Sequence, residues 1–132
     1  MKLVLDTNII VSALLSPQGP PAKILNLVLN GSSTIIYDNS VLAEYSDVLG
    51  RKRLKINKEL ANFILDFIEK EGIFTIAEPL SIKFIDNNDK IFYELYKSRD
   101  CDYLITGNKK HFPKDKGILT AREFISHVAA DK

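Results

Sequence analysis

Cysteine is nearly missing from this sequence. Cys101 is the only one in 132 residues, which excludes an intrachain disulfide and a thiolate metal cage. Its place just before an apolar run suits a small buried filler. Long hydrophobic runs are missing as well. No stretch approaches ~20 apolar residues, so no membrane span is expected. No basic-then-apolar leader precedes the first strand, and the chain reads as cytoplasmic. Excess charge of one sign is also missing. The net charge is +1, which does not advertise a nucleic-acid binder. The sequence has no internal repeat, low-complexity segment or linker.

What is present suits one domain over 1–132. The chain is 45% hydrophobic and 27% charged, enough for a single substantial core. The neutral total hides local asymmetry. Arg51, Lys52, Arg53, Lys55 and Lys58 fall within eight positions, and Lys109, Lys110, Lys114 and Lys116 surround His111. Acids concentrate elsewhere, notably at Asp86 and Asp89. Most charge runs are solvated faces. Phosphate contacts nevertheless supply most non-specific nucleic-acid affinity. Arg51, Lys52, Arg53, Lys109 and Lys110 are therefore candidate phosphate contacts.

The opening nine residues organise the rest. Lys2 to Leu5 reads as a strand, ended by Asp6. Asn8 follows, and Ile9, Ile10, Ala13 and Leu14 recur at helical spacing. A second helix begins after the turn from Pro17 to Pro21 and carries Ile24, Leu25, Leu27, Val28 and Leu29. Asn30-Gly31 stops it. Thr34 to Tyr37 is a β-branched second strand. Asp38-Asn39-Ser40 caps a third helix with Val41, Leu42, Tyr45, Val48 and Leu49 inward. Glu44 lies inside that stripe.

The spacing predicts a fourth helix from Lys58 to Lys70, with Leu60, Phe63, Ile64, Phe67 and Ile68 inward. Ile73 to Ile76 reads as a third strand. A fifth helix is capped near Asp86 and turns Ile91, Phe92, Leu95 and Tyr96 inward, with Asp89 in its first turn. Tyr103 to Ile105 and Gly117 to Leu119 read as the last strands, separated by a helical turn from Lys109 to Phe112. Thr120-Ala121-Arg122-Glu123 is a capping box for a closing helix bearing Phe124, Ile125 and Val128. Strands alternating with helices predict an α/β fold with a parallel sheet covered on both faces.

Three carboxylates stand out: Asp6 at the end of the first strand, Glu44 on the third helix and Asp89 in the first turn of the fifth. Spacing alone does not join them. A parallel sheet does, because strand ends and the first turns of the following helices share one edge. Thr106 and Asn108 reach that edge from the fourth strand. Carboxylates with neutral oxygen donors suit a hard cation, Mg²⁺ or Mn²⁺. Such an ion polarises a phosphate, activates a water and stabilises a leaving oxygen. An unpaired buried charge is costly, and a metal would account for an inward Glu44. Each acid also has a plain reading: a helix cap for Asp6, a satisfied inward carboxylate for Glu44, a helix-dipole partner for Asp89. His127 reads as a surface or structural residue. His111 stands near Asn108 as a candidate substrate contact. It is not needed as a general base where a metal-bound water serves.

These residues resemble a known family. Leu5-Asp6-Thr7-Asn8, Ser40 through Glu44 with Val48-Leu49, Asp89-Lys90-Ile91-Phe92, and Asp102 through Asn108 resemble the motifs of PIN domains in order and spacing. The group resembled is that of prokaryotic toxin–antitoxin toxins. The resemblance implies a three-layer α/β/α fold around a central parallel sheet. It implies a metal-dependent endoribonuclease, with Mg²⁺ or Mn²⁺ held by Asp6, Glu44 and Asp89 and with Asn8 and Thr106 as polar helpers. It also implies a homodimer silenced by a cognate antitoxin. Many members have an aspartate where this chain has Asn108. An asparagine accepts or ligates through its carbonyl oxygen but brings no charge, which weakens a second metal most. Asp86 and Asp102 are the possible substitutes, with Asp86 also suited to capping the fifth helix. The expected activity is RNA phosphodiester hydrolysis; the alternative is a weak or inactive module that binds RNA or a protein partner. A phosphatase with a nucleophilic aspartate needs a second acid where Asn8 stands, and a structure-specific DNA nuclease needs a helical insertion for which the chain has no room.

Overall fold

The computed structural model describes residues 1–128. Residues 129–132, the tail of the expected 1–132 unit, lie outside the described residues. Five strands form one parallel sheet: β1 (Lys2–Leu5), β2 (Thr34–Tyr37), β3 (Ile73–Phe74), β4 (Tyr103–Ile105) and β5 (Ile118–Leu119), in the order β3-β2-β1-β4-β5. The helices are α1 (Thr7–Leu15), α2 (Pro20–Leu29), α3 (Asn39–Leu49), α4 (Lys58–Glu71), α5 (Asn87–Ser98) and α6 (Ala121–His127). Helices cover both faces, giving the three-layer α/β/α arrangement.

The register explains the layers. Leu3 pairs with Ile35 and Tyr103, so Leu3, Leu5, Ile35, Tyr37, Tyr103 and Ile105 share one face. Tyr37 donates its hydroxyl to the Glu69 carbonyl at 3.0 Å, which fixes α4 there, and Tyr103 packs edge-on against Phe124 of α6. α5 packs on β1 and β4. The connection from β3 to β4 steps back across the sheet. A right-handed crossover therefore lays α5 on the opposite face. Val4, Ile36 and Leu104 point to that side and are fully buried. Burial of each such side chain contributes about 1.5–3 kcal/mol.

Strand order then picks out one place. The chain moves from β1 to β2 on one side and returns to β4 on the other. β1 and β4 are neighbours, and the crevice beyond their carboxyl ends is the topological switch point.

Local sequence sets most boundaries. Asp38 caps α3 by accepting from the Val41 N–H at 2.8 Å, and Asn57 caps α4 through the Leu60 N–H at 3.1 Å. Thr120 and Glu123 form the expected capping box. Three expectations fail. β3 ends at Phe74 rather than Ile76. Asp38 turns β2 into α3, so nothing stands opposite Ile76, which is 80% exposed. Leu60 and Phe63 are exposed rather than inward. α4 buries the strip Ala61, Ile64 and Ile68, with Leu65 and Phe67 packed partly against the core, and this rotation leaves Leu60 and Phe63 on the outer side. On α5 it is Tyr93, beside Phe84, that is buried, while Tyr96 is half-buried and donates its hydroxyl to Asp115 at 2.9 Å.

Candidate active site

Asp6 is the residue after β1, and Thr106 is the residue after β4. Leu5 and Ile105 are register partners, so the two stand side by side at the switch point. The Asp6 N–H donates to the Ile105 carbonyl at 2.9 Å, continuing the ladder one step past the strand. The Thr106 hydroxyl donates to the Asp6 carboxylate at 2.7 Å. Both side chains are buried. Thr106 Oγ also accepts from the Asn108 N–H at 3.0 Å, and Asn8 Oδ1 accepts from the Gly107 N–H at 3.3 Å. Asn8 and Thr106 thus fix the turn after β4 against the start of α1. Asp6 stands at the N-cap position of α1 without a side-chain cap hydrogen bond, and its carboxylate is turned to Thr106.

Asp89 lies in the first turn of α5 and is buried. Its carboxylate meets His111 Nδ1 at 3.0 Å. Burial pushes the Asp6 carboxyl above its ordinary value; the Thr106 hydrogen bond opposes this, and the charge of Asp89 adds to it. Burial likewise pushes Asp89 up, against the hydrogen bond from His111. Both acids are thus held above their ordinary values mainly by desolvation, with Asp89 adding its charge at Asp6 and Asp86 adding its charge at Asp89.

Glu44 stands apart. The buried line of α3 is Val41, Tyr45 and Leu49, and Glu44 is half-buried on its flank rather than inside the stripe. Tyr45 supplies the tie to the site, donating its hydroxyl to the Leu5 carbonyl directly before Asp6. Among the described residues, no three His, Cys, Asp or Glu side chains are close enough to hold a metal ion by themselves. Asp102 is at the wrong edge: its carboxylate accepts from the Lys2 N–H at 2.7 Å, where β1 begins. Asp86 caps α5 through the Asn88 N–H at 2.9 Å. Asp102 thus lies away from Asn108, while Asp86 stays close enough to Asp89 for its charge to act there.

The expected phosphate contacts divide. Lys109 is engaged by Glu123 at 2.9 Å, and Arg51 by Asp47 at 3.1 Å. Arg53 and Lys110 are exposed and have no ion pair among the described residues. His127 is exposed in the last turn of α6. Sequence reasoning missed the His111–Asp89 contact. The available signal was the helical turn after β4, which places residue 111 over the same edge as the first turn of α5.

The PIN domain family model matches residues 2–110. The chain belongs to the PIN domain family. PIN domains are generally nucleases, and the family usually uses divalent metals. An uncharacterised protein of Methanocaldococcus jannaschii is 39% identical over 117 residues, covering 83% of this chain and 72% of that protein. The fold is similar to the crystal structure of VapBC2 from Rickettsia felis bound to a DNA fragment from their promoter. That match has a TM-score of 0.56 at 22% identity and covers 91% of this chain and 97% of the other. This PIN chain therefore carries Asp6 and Thr106 at the switch point of a PIN fold, with Asp89 on the helix above.

The donor set can be tested against a divalent ion. Asp6 and Asp89 offer carboxylates, with Asn8 and Thr106 as neutral oxygen donors nearby, and no thiolate or second imidazole competes. Oxygen ligands suit Mg²⁺ or Mn²⁺, and Mg²⁺ commonly uses only one or two protein carboxylates with water completing the shell. Two buried acids, one of them raised by the charge of the other, fit such an ion.

Proposed function

We propose that this PIN domain is a metal-dependent endoribonuclease that cleaves RNA phosphodiesters and acts as the toxin of a toxin–antitoxin pair. The observation that carries the reading is the buried Asp6 carboxylate, oriented by Thr106, with its proton affinity raised by burial and further by the charge of Asp89. Asp6 and Asp89 would hold Mg²⁺ or Mn²⁺, with Glu44 contributing through water. When bound, the ion supplies Lewis-acid stabilisation of phosphoryl charge and a water of lowered pKa. Thr106 keeps Asp6 ionised and aimed. Asn8 and Asn108 hold the turn beside it, and His111 orients Asp89. Arg51, Arg53, Lys109 and Lys110 form the outer candidate contacts to RNA.

The likeness to a VapBC2 complex supports a cognate antitoxin as partner, and a homodimer is the proposed assembly. No helix among the described residues is long and apolar enough to cross a membrane; the proposed setting is cytoplasmic. The test is Asp6→Asn in purified protein. Divalent-dependent RNA cleavage should disappear while the circular dichroism spectrum is retained. Cleavage at the wild-type rate would sink the assignment.

The half-exposed Glu44 and the uncharged Asn108 favour one other reading, a non-catalytic module that binds RNA or a protein. Calorimetric titration with Mn²⁺ separates the two. Saturable binding lost in Asp6→Asn supports the nuclease, and no binding at millimolar Mn²⁺ supports the module.

A further inference from the structure

α3 and α4 form an antiparallel hairpin. Asn39 near the start of α3 and Glu69 near the end of α4 line one cleft between them, while Leu49 and Ala61, from the opposite ends, line the next. α4 ends at Gly72, beside Ile35 near the amino end of β2. Its fourteen residues span about 21 Å. The four residues of β2 span only about 13 Å. The tip of the hairpin therefore projects past the carboxyl edge of the sheet, the edge that carries Asp6 and Asp89.

That tip holds a cavity of about 430 Å³. Its floor is apolar, from Leu49, Ile56 and Leu65. Arg51, Lys52, Lys55 and Lys58 surround it with charge. Only Arg51 has an ion-pair partner among the described residues, Asp47 at 3.1 Å. Lys55 adopts a left-handed backbone at φ 53°, uncommon for a residue with a β-carbon. The 3-10 turn Lys52–Leu54 folds back through the Lys55 N–H to the Lys52 carbonyl at 3.1 Å. The loop thus gathers three unpaired ammonium groups around one concavity instead of spreading them into solvent. A chain of net charge +1 concentrates four cations here, and among the described residues only Asp47 pairs with one of them.

We propose that this cavity is a phosphate-docking site for single-stranded RNA, which grips the substrate backbone away from the acid pair. The proposal rests on the ribonuclease reading for its substrate class. Lysine acts as a point charge on phosphate, so the site tracks the backbone without reading bases. The apolar floor gives space for a sugar or base between gripped phosphates.

The test measures binding of a fluorescein-labelled, mixed-sequence 20-mer RNA by anisotropy in EDTA, using the full chain with Asp6→Asn to prevent cleavage. The variant Lys52→Gln, Lys55→Gln, Lys58→Gln is compared with Lys23→Gln, Lys70→Gln, Lys83→Gln, which removes the same charge from other surfaces. Each lost phosphate contact flattens the salt dependence of single-strand binding by about 0.7. The cavity variant should bind at least tenfold more weakly, with a log–log salt slope shallower by about 2. Equal affinity and slope in the two variants would overturn the proposal, as would equal loss in both. So would preference of the cavity for an acidic peptide, seen as peptide binding lost with RNA binding kept. A melting curve for each variant shows that the loss is not one of folding. Cleavage by the wild-type chain is assayed in parallel. Its absence, with the binding result intact, removes the nuclease reading and leaves the docking site standing.

Discussion

The Thr106 hydroxyl meets the Asp6 carboxylate at 2.7 Å, joining residues one hundred positions apart. Both sit one step past paired strands, and both are buried. The same Thr106 oxygen accepts from the Asn108 N–H. One side chain therefore orients the acid and shapes the turn.

Thr106→Val keeps the shape and removes both hydrogen bonds. A bond to a charged group is worth about 1.5–3 kcal/mol. The expected loss of stability is of that size, read from urea unfolding, with cleavage reduced by about tenfold or more. Unchanged stability and rate would mean that Thr106 only fills space.

The raised carboxyls of Asp6 and Asp89 set the pH behaviour of the metal-free protein. Their folded values lie above the ordinary 3.8, so the native state binds these protons more tightly than the unfolded chain does. Their charge destabilises the fold above the folded values, and the penalty fades as pH falls through them. Stability should rise as pH drops from neutral toward the ordinary carboxylate range. It then falls as Glu123, held down to about 2 by the Thr120 backbone and Lys109, is protonated. Asp6→Asn should flatten the rise. Mn²⁺ at one hundred times its dissociation constant should stabilise the neutral protein by about 2.7 kcal/mol. Thermal melts across pH, with and without Mn²⁺, check both.

Glu44→Gln separates chemistry from folding. Glu44 is half-buried and outside the packed line of α3. Stability should stay within about 0.5 kcal/mol, while divalent-dependent cleavage drops sharply. A variant with full activity would remove Glu44 from the ligand set.

His111→Ala leaves the Asp89 carboxylate without its partner at 3.0 Å. Groups that orient metal ligands typically affect affinity by about 10–100-fold. Mn²⁺ titration should show weakening at the lower end of that range. Wild-type affinity would reduce His111 to a packing role.

Tyr45→Phe removes the hydroxyl that bonds the Leu5 carbonyl, a buried contact between α3 and the end of β1. A buried acceptor left unsatisfied costs about 1–3 kcal/mol. The melting temperature should fall by several degrees. An unchanged melt would show that water or a rearranged neighbour serves the carbonyl.

The sequence alone was enough for the element order. Apolar runs and period-3.6 patterns, with Asp38, Asp86 and Thr120 as caps, placed β1, β2 and β4 at their observed bounds and ended the fourth helix one residue short of its observed end. These signals are local, and backbone geometry reads them locally. The sequence also singled out Asp6, Asn8, Asp89 and Thr106, because a polar residue after an apolar strand marks the edge of a sheet. Which strands are neighbours is a long-range matter. Only the tertiary structure put β4 beside β1 and so brought Thr106 to Asp6. It also left Glu44 on the flank of α3, because helix rotation depends on what Tyr45 packs against. It sent Asp102 to the far edge through its bond to Lys2. Leu60 and Phe63 look like core by spacing, yet the packed helix turns Ala61, Ile64 and Ile68 inward and leaves those two exposed. Charge clustering showed five cations in a row of eight positions. Only the folded α3–α4 hairpin turned four of them toward one cavity.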